Sequence, residues 1–392
     1  MYSEYKRRLA EEDQFRSGLS DRHMQQKQQK QKTEKNLRRQ SQPVLLHQIP
    51  SQGRKLVLHF DARNTIFVAD LFSRITVEMA LNTYISGVVW GVSENDSHWR
   101  CISETISIHP PQPGVTSLYK LFEKDIVRVP EDRQLLRETL GNFTEQPHGR
   151  KFRPIFEANL AKLRWPYKKI DDRLTVTGRD GSAYHYLLPS FLNLVHALDA
   201  SGREFCVVVR TFGRDAPHIL NALDLLRQGL HPGYDKQLSA RINLKPESFD
   251  RIGRDEFKYF KSDGSVLRSE RAVYEHWNSC TGIMAVVDDF KYWQANQYHY
   301  TAAKFLWYDP NDSDHQHVMF DDNIRLHDED NIINVKVFDG PNWEAARDCR
   351  PDETAKLEDS LFVPANLIDS IGDPNYFIDR VSQCEANYSQ LL

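Results

Sequence analysis

A run of apolar residues that stops abruptly at a carboxylate, KLVLHFDARNTIFVAD at residues 55–70, constrains this chain more than any other feature. Near-continuous apolar strands are buried on both faces, as in parallel sheets, whereas strict alternation marks a strand wet on one side. The segment reads as a buried parallel strand that delivers Asp61 to a loop. Comparable runs recur in REFCVVVRTFG (203–213), TGIMAVVDD (281–289), HQHVMFDDNI (315–324) and NIINVKVFDG (331–340). Helix-like sequence lies between them. SAYHYLLPSFLNLVHALDASG closes at Gly202, APHILNALDLLRQG ends near Gly229, and RAVYEHWNSC precedes the strand at 281. Strand, loop and helix in that order make βαβ units, so the fold class expected is α/β, a Rossmann-like, open, mostly parallel sheet flanked by helices.

The chain divides around this pattern. Residues 1–50 form a charged, low-complexity extension, in which QQKQQKQKTEKNLRRQSQ offers few apolar anchors against the entropy of ordering. Its lysines and arginines suit an acidic partner. The α/β core is assigned to 51–92 and 186–340. Residues 93–185 are read as an insertion or cap, with an alternating CISETISI strand, the HPPQPG turn cluster and helix-like LYKLFEKDI and EDRQLLRETLGNF. A smaller insertion, a hairpin or lid, is expected within 234–270. WQANQYHYTAAKFLWYD (293–309) reads as mostly helical, which places Lys304 on a helix. Residues 341–392 read as a C-terminal extension of loops and short helical pieces.

Composition excludes several classes. A formal net charge of -4 gives no general drive toward nucleic acid. The aromatic stretch Tyr292, Trp293, Tyr298, Tyr300, Trp307 and Tyr308 lacks the basic strip that stacking on bases requires. The five cysteines are scattered without a C-x-x-C pair, as in a reducing compartment, and Cys206 and Cys280 flank apolar segments as buried thiols. The N-terminus lacks an apolar signal region, and no uninterrupted apolar run reaches a membrane span of about 18 residues. Cytoplasmic residence is the default expectation. His315 and His317 share one face of an extended strand but lack a third zinc ligand, and no dinucleotide or phosphate-loop glycine motif occurs.

Residues at the carboxyl ends of neighbouring parallel strands meet in one crevice. Asp61 and Thr65 follow the first strand, Thr211 ends the second, Lys304 lies further on, and Asp321 and Asp322 end a later strand. Together they supply a nucleophilic carboxylate, hydroxyls, an ammonium and two metal-binding acids, an inventory for handling phosphate. Asp288 and Asp289 also follow an apolar strand and compete for the role of the acidic pair.

The order of these residues resembles that of the haloacid dehalogenase-like hydrolases. Asp61-Ala62-Arg63-Asn64-Thr65 matches the first motif of that superfamily at its first and last positions, Thr211 the second, Lys304 the third, and Asp321 with Asp322 the fourth. The resemblance covers roughly residues 55–75 and 185–340. It implies an HAD-like core with an inserted cap, and an aspartyl-phosphate formed on Asp61. It also implies Mg²⁺ held by Asp61, the backbone carbonyl of Arg63, and Asp321 or Asp322, with Thr211 and Lys304 on phosphate oxygens. Arg63 stands where these phosphatases carry the acid that protonates the leaving group. A guanidinium with a pKa above about 12 exchanges no useful proton near neutrality. Two functions follow as expectations: a Mg²⁺-dependent hydrolase of a small phosphorylated molecule, or a catalytically weak ligand- or protein-binding protein on the same fold. Dehalogenation is a third, remote option.

Overall fold

The apolar run at 55–61 does form a strand, Lys55–Asp61, and its side chains divide between two faces. Leu56, Leu58 and Phe60 enter one buried cluster and Val57 another, as the two-residue period of a strand requires. In the computed structural model the described residues are 49, 53–71, 75–95, 98–129, 131–326, 328–340 and 342–391. The extension read at 1–50, with its partner, therefore lies outside them except for Ile49.

Lys55–Asp61 sits inside an eight-stranded sheet. On one side it pairs in parallel with Phe205–Thr211, which pairs with Gly282–Val287, which pairs with Glu247–Arg251. On the other it pairs in parallel with His315–Asp321 and then Phe362–Pro364. Two antiparallel strands, Phe257–Phe260 and Val266–Leu267, complete the far edge. The sheet is thus of mixed topology, α/β, with helices against it.

One face carries helices Val77–Gly87, Pro189–Ser201, Ala216–Arg227 and Tyr376–Leu391. Phe60 stands at the centre of this layer, stacked on Phe320 at 4.6 Å and edge-on to Phe191 and Phe377. Full burial of such a ring is worth about 1.5–3 kcal/mol by transfer alone. The helix Pro189–Ser201 begins with proline in its first turn and stops at Gly202, whose φ of 68° is a left-handed cap natural to glycine. The opposite face is covered by helix Glu270–Ser279 and a three-stranded sheet of Lys304–Tyr308, Ile333–Val337 and Arg347–Asp348. Trp277, Phe249, Phe257, Phe305 and Trp307 pack there as an aromatic layer.

Several expectations need correction. Lys304 begins a strand, not a helical stretch. The helix before it, Phe290–Ala295, ends where Gln297 and Tyr298 take φ of 57° and 61°. Beyond Ala303 the alternation puts Phe305 and Trp307 in one cluster and Leu306 in another. Of the two alternatives at 234–270, a hairpin or a lid, the segment takes the first: Glu247–Arg251 and Phe257–Phe260 pair antiparallel and, with Val266–Leu267, extend the main sheet. The segment 341–392 supplies the edge strand Phe362–Pro364 and the helix carrying Phe377 into the core. The strand expected over CISETISI lies earlier, at His98–Cys101, paired with Trp90–Asn95. Within 93–185, helices Leu118–Ile126, Asp132–Leu140 and Arg153–Leu163 pack with Val77–Gly87. Among the described residues no helix is long and apolar enough to cross a membrane.

Candidate functional site

Register builds the site. Phe60 pairs with Phe320 and Asp61 with Arg210, so the next residues in line, Asp61 and Asp321, leave adjacent parallel strands side by side. Asp322 follows directly. One oxygen from each of Asp61, Asp321 and Asp322 lies within 4.8 Å of the others, the one group of potential metal-binding side chains found among the described residues. Asp61 keeps 14% of its side-chain exposure while Asp321 keeps none.

Lys304 arrives from the small sheet and fills the gap between the strands. Its Nζ donates to Asp61 Oδ1 at 2.5 Å and to Asp321 Oδ2 at 2.8 Å, and it stands 5.0 Å from the centre of the Phe212 ring. Burial pulls the ammonium pKa down, but Asp321 and Asp61 more than offset this and leave it above its ordinary value. Burial and then Asp321 push the Asp61 carboxyl up to about 7, against the opposing pull of Lys304. Asp322 is likewise raised well above the carboxylate range, by burial and by Asp321 and Asp61. Three acids sharing one cation are short of positive charge.

The turn after Asp61 places further groups. Asn64 takes φ of 60°, a conformation that asparagine tolerates better than most residues, and its Nδ2 donates to Asp322 Oδ2 at 3.1 Å. Asn323 donates its backbone N–H to Asp321 Oδ1 at 2.9 Å and its side-chain amide to Asp322 Oδ1 at 3.0 Å. The sequence reading missed Asn64 as a site residue; an asparagine three positions after the strand-ending Asp61 was the available signal. Arg63 pairs with Asp70. Thr211 ends its strand buried and accepts from the Gly213 N–H at 2.9 Å, which leaves its hydroxyl proton free to donate. Thr65 is buried, and its hydroxyl finds no hydrogen-bond partner.

The competing acids are committed elsewhere. Asp288 accepts two bonds from the buried Arg210, at 2.5 and 2.9 Å. Asp289 accepts from the N–H groups of Tyr292 and Arg251 at 3.0 and 2.9 Å. His315 bonds Asp312, and His317 meets His59 and Asn278, so the histidine pair is internally satisfied.

An all-oxygen donor set of closely spaced carboxylates fits a hard divalent cation such as Mg²⁺. This fit makes a stability prediction. Removing one member of a buried charge network costs about 3–5 kcal/mol, so Lys304→Met should lower Tm sharply in chelator. Millimolar Mg²⁺ should recover much of that loss and shift the variant further than the parent. Melting curves with and without Mg²⁺ read this directly, and an equal shift for both proteins would count against a cation among these three acids.

Comparison with protein-family models, with curated proteins and with solved structures finds no match to this chain. The geometry of the site therefore carries the functional reading by itself.

Proposed function

We propose that the chain is a Mg²⁺-dependent hydrolase of the haloacid dehalogenase-like type, acting on a small phosphorylated substrate through Asp61. The observation that carries this reading is the Asp61, Asp321 and Asp322 cluster bridged by Lys304. In the proposed reaction a carboxylate oxygen of Asp61 attacks phosphorus and the bond to the leaving oxygen breaks, giving an aspartyl-phosphate. Water then attacks that phosphorus, the bond to Asp61 breaks, and phosphate leaves with the carboxylate restored. Lys304 holds Asp61 Oδ1 and so fixes the direction of attack. Thr211 offers its free hydroxyl proton to a phosphate oxygen. When bound among Asp61, Asp321 and Asp322, Mg²⁺ would neutralise charge on the phosphoryl oxygens. Asn64 and Asn323 orient Asp322 for that task.

Arg63 sets the leaving group. Held by Asp70, it offers no transferable proton near neutrality. Esters whose oxygen departs as a stable anion, such as aryl phosphates, are expected to be cleaved faster than alkyl phosphates. The same ion pair favours the second reading, a phosphate-binding protein with little turnover, because it leaves the position normally used for proton transfer without an acid.

Calorimetric titration with beryllofluoride, a small mimic of a phosphoryl group on aspartate, tests acceptor competence without a guessed substrate. Mg²⁺-dependent binding is expected, and absence of binding to folded protein would sink the hydrolase reading. The raised acids add a pH signature. Below about pH 7 the cation must displace a proton from Asp61. Mg²⁺ affinity should therefore be at least about tenfold weaker at pH 6 than at pH 8, with protons released on binding. A flat profile would place the cation elsewhere.

A further inference from the structure

At the opposite ends of the same central strands lies a second cluster of reactive groups, which the phosphate site does not use. Cys206 is the second residue of the strand Phe205–Thr211, paired in register with Gly282, and Cys280, which caps the helix Glu270–Ser279, lies two residues before Gly282, where that neighbouring strand begins. The Cys280 sulfur lies 3.9 Å from His276 Nδ1 and 3.8 Å from Nε2. His276 Nε2 lies 2.8 Å from Glu247 Oε2. That carboxylate is itself fixed: Tyr259 donates to Oε2 at 2.5 Å and the Ser262 N–H to Oε1 at 3.1 Å. Trp277 Nε1 in turn donates to the Tyr259 oxygen at 2.9 Å. The Glu247 side chain is 2% exposed and that of His276 13%. Cys280 is partly exposed, whereas Cys206 is buried, and the two belong to the same side of the sheet, Cys206 inside the aromatic cluster there and Cys280 packed against it.

We infer that Cys280 and Cys206 are a peroxide-responsive thiol pair, with Cys280 the reacting sulfur, Cys206 the resolving one, and His276 with Glu247 the positioning residues. A structural reading of His276 as a mere helix-end residue does not explain why a buried carboxylate orients it toward an accessible sulfur. Electrostatics agree with the geometry. The Cys206 contact and then His276 bring the Cys280 thiol down to about 5, while burial of His276 is more than offset by Cys280 and Glu247, raising it to about 9. A thiolate beside an imidazolium is the reactive form toward peroxide.

The step balances with hydrogen peroxide as the oxidant. The Cys280 thiolate attacks one peroxide oxygen, the O–O bond breaks, and the departing hydroxide takes the proton that Cys280 had given to His276 and becomes water, leaving a sulfenic acid on Cys280. The Cys206 sulfur then attacks the Cys280 sulfur. An S–S bond forms, the S–O bond breaks, and the second hydroxide leaves as water with the Cys206 proton. Two thiols are oxidised by two electrons, and one peroxide is reduced to two waters. The bridge would tie together two neighbouring central strands at the end remote from Asp61.

The test uses the full chain treated with one equivalent of hydrogen peroxide, followed by peptide mass spectrometry without reduction. A Cys206–Cys280 peptide lighter by two hydrogens should appear at least about tenfold faster than any oxidation of the partly exposed Cys101. In Cys206→Ser the reaction should stop at a sulfenic acid on Cys280, trapped by dimedone, and His276→Gln should slow its formation while circular dichroism stays unchanged. Oxidation of Cys101 at the rate of Cys280, or passage of Cys280 to sulfinic acid without a bridge in the parent chain, would overturn the inference. The parent-chain result does not depend on any variant folding.

Discussion

Asp61→Asn should eliminate Mg²⁺-dependent phosphate release, by at least about 10⁴-fold, and at the same time make the protein more stable at pH 8. The two effects have opposite sign because the site holds this carboxylate against its preference. Its native pKa of about 7 lies above the ordinary 3.8. An acid raised in this way costs nothing below about pH 4. Its cost grows as pH rises toward 7 and is fully present above it. Asparagine removes that cost, on the order of 1–3 kcal/mol, while Lys304 keeps its 2.8 Å bond to Asp321. Melting at pH 5 and pH 8 separates the contributions: the variant should gain several degrees at pH 8 and little at pH 5. A variant that loses stability at both values would mean that Lys304 needs Asp61 more than Asp61 is burdened by its neighbours. Retained turnover would remove Asp61 from the chemistry altogether.

Arg63→Asp is expected to act in the other direction and raise turnover of alkyl phosphates by about 10²–10⁴-fold, the usual worth of general acid–base help. The substitution takes a partner from Asp70, whose side chain is only 6% exposed, so a loss of about 1–3 kcal/mol in stability should accompany the gain. Steady-state phosphate release from an alkyl and an aryl ester, compared for parent and variant, reads the outcome. The gain should be concentrated in the alkyl ester, because the aryl oxygen departs without a proton. Equal gains for both esters would place the benefit in a step they share, such as attack of water on the aspartyl-phosphate, and not in protonation of the leaving group.

The sheet and the acids were readable because burial leaves a local signature. An unbroken apolar run before Asp61 and another before Asp321 announce strands buried on both faces, and the carboxylate marks where burial ends. Gly202 announced its helix end because a left-handed residue is needed there. Other parts carry no local signature. Lys304-Phe-Leu-Trp-Tyr is short and aromatic enough to suit either period, and only pairing with Ile333–Val337 decides it. Phe362–Pro364 is three residues long and becomes a strand through its neighbour His315–Asp321. The choice between Asp288–Asp289 and Asp321–Asp322 turned on Arg210, which claims Asp288 from inside a strand that reads as pure core. Arg63 and Asp70 lie close in sequence, yet nothing in their spacing shows that a turn folds one onto the other.

The wide separation of Lys304 from Asp61 has a consequence for biosynthesis. Their contact spans 243 residues, so at roughly 5–20 residues per second the acid precedes its counter-charge from the ribosome by roughly 10–50 s. During that interval the first strand can find Phe205–Thr211, but the edge that will receive His315–Asp321 stays open. An apolar strand with one free edge invites pairing with other chains. The nascent polypeptide therefore exposes this edge until His315–Asp321 has been made, and slowing translation between Asp61 and Asp321 should harm its yield.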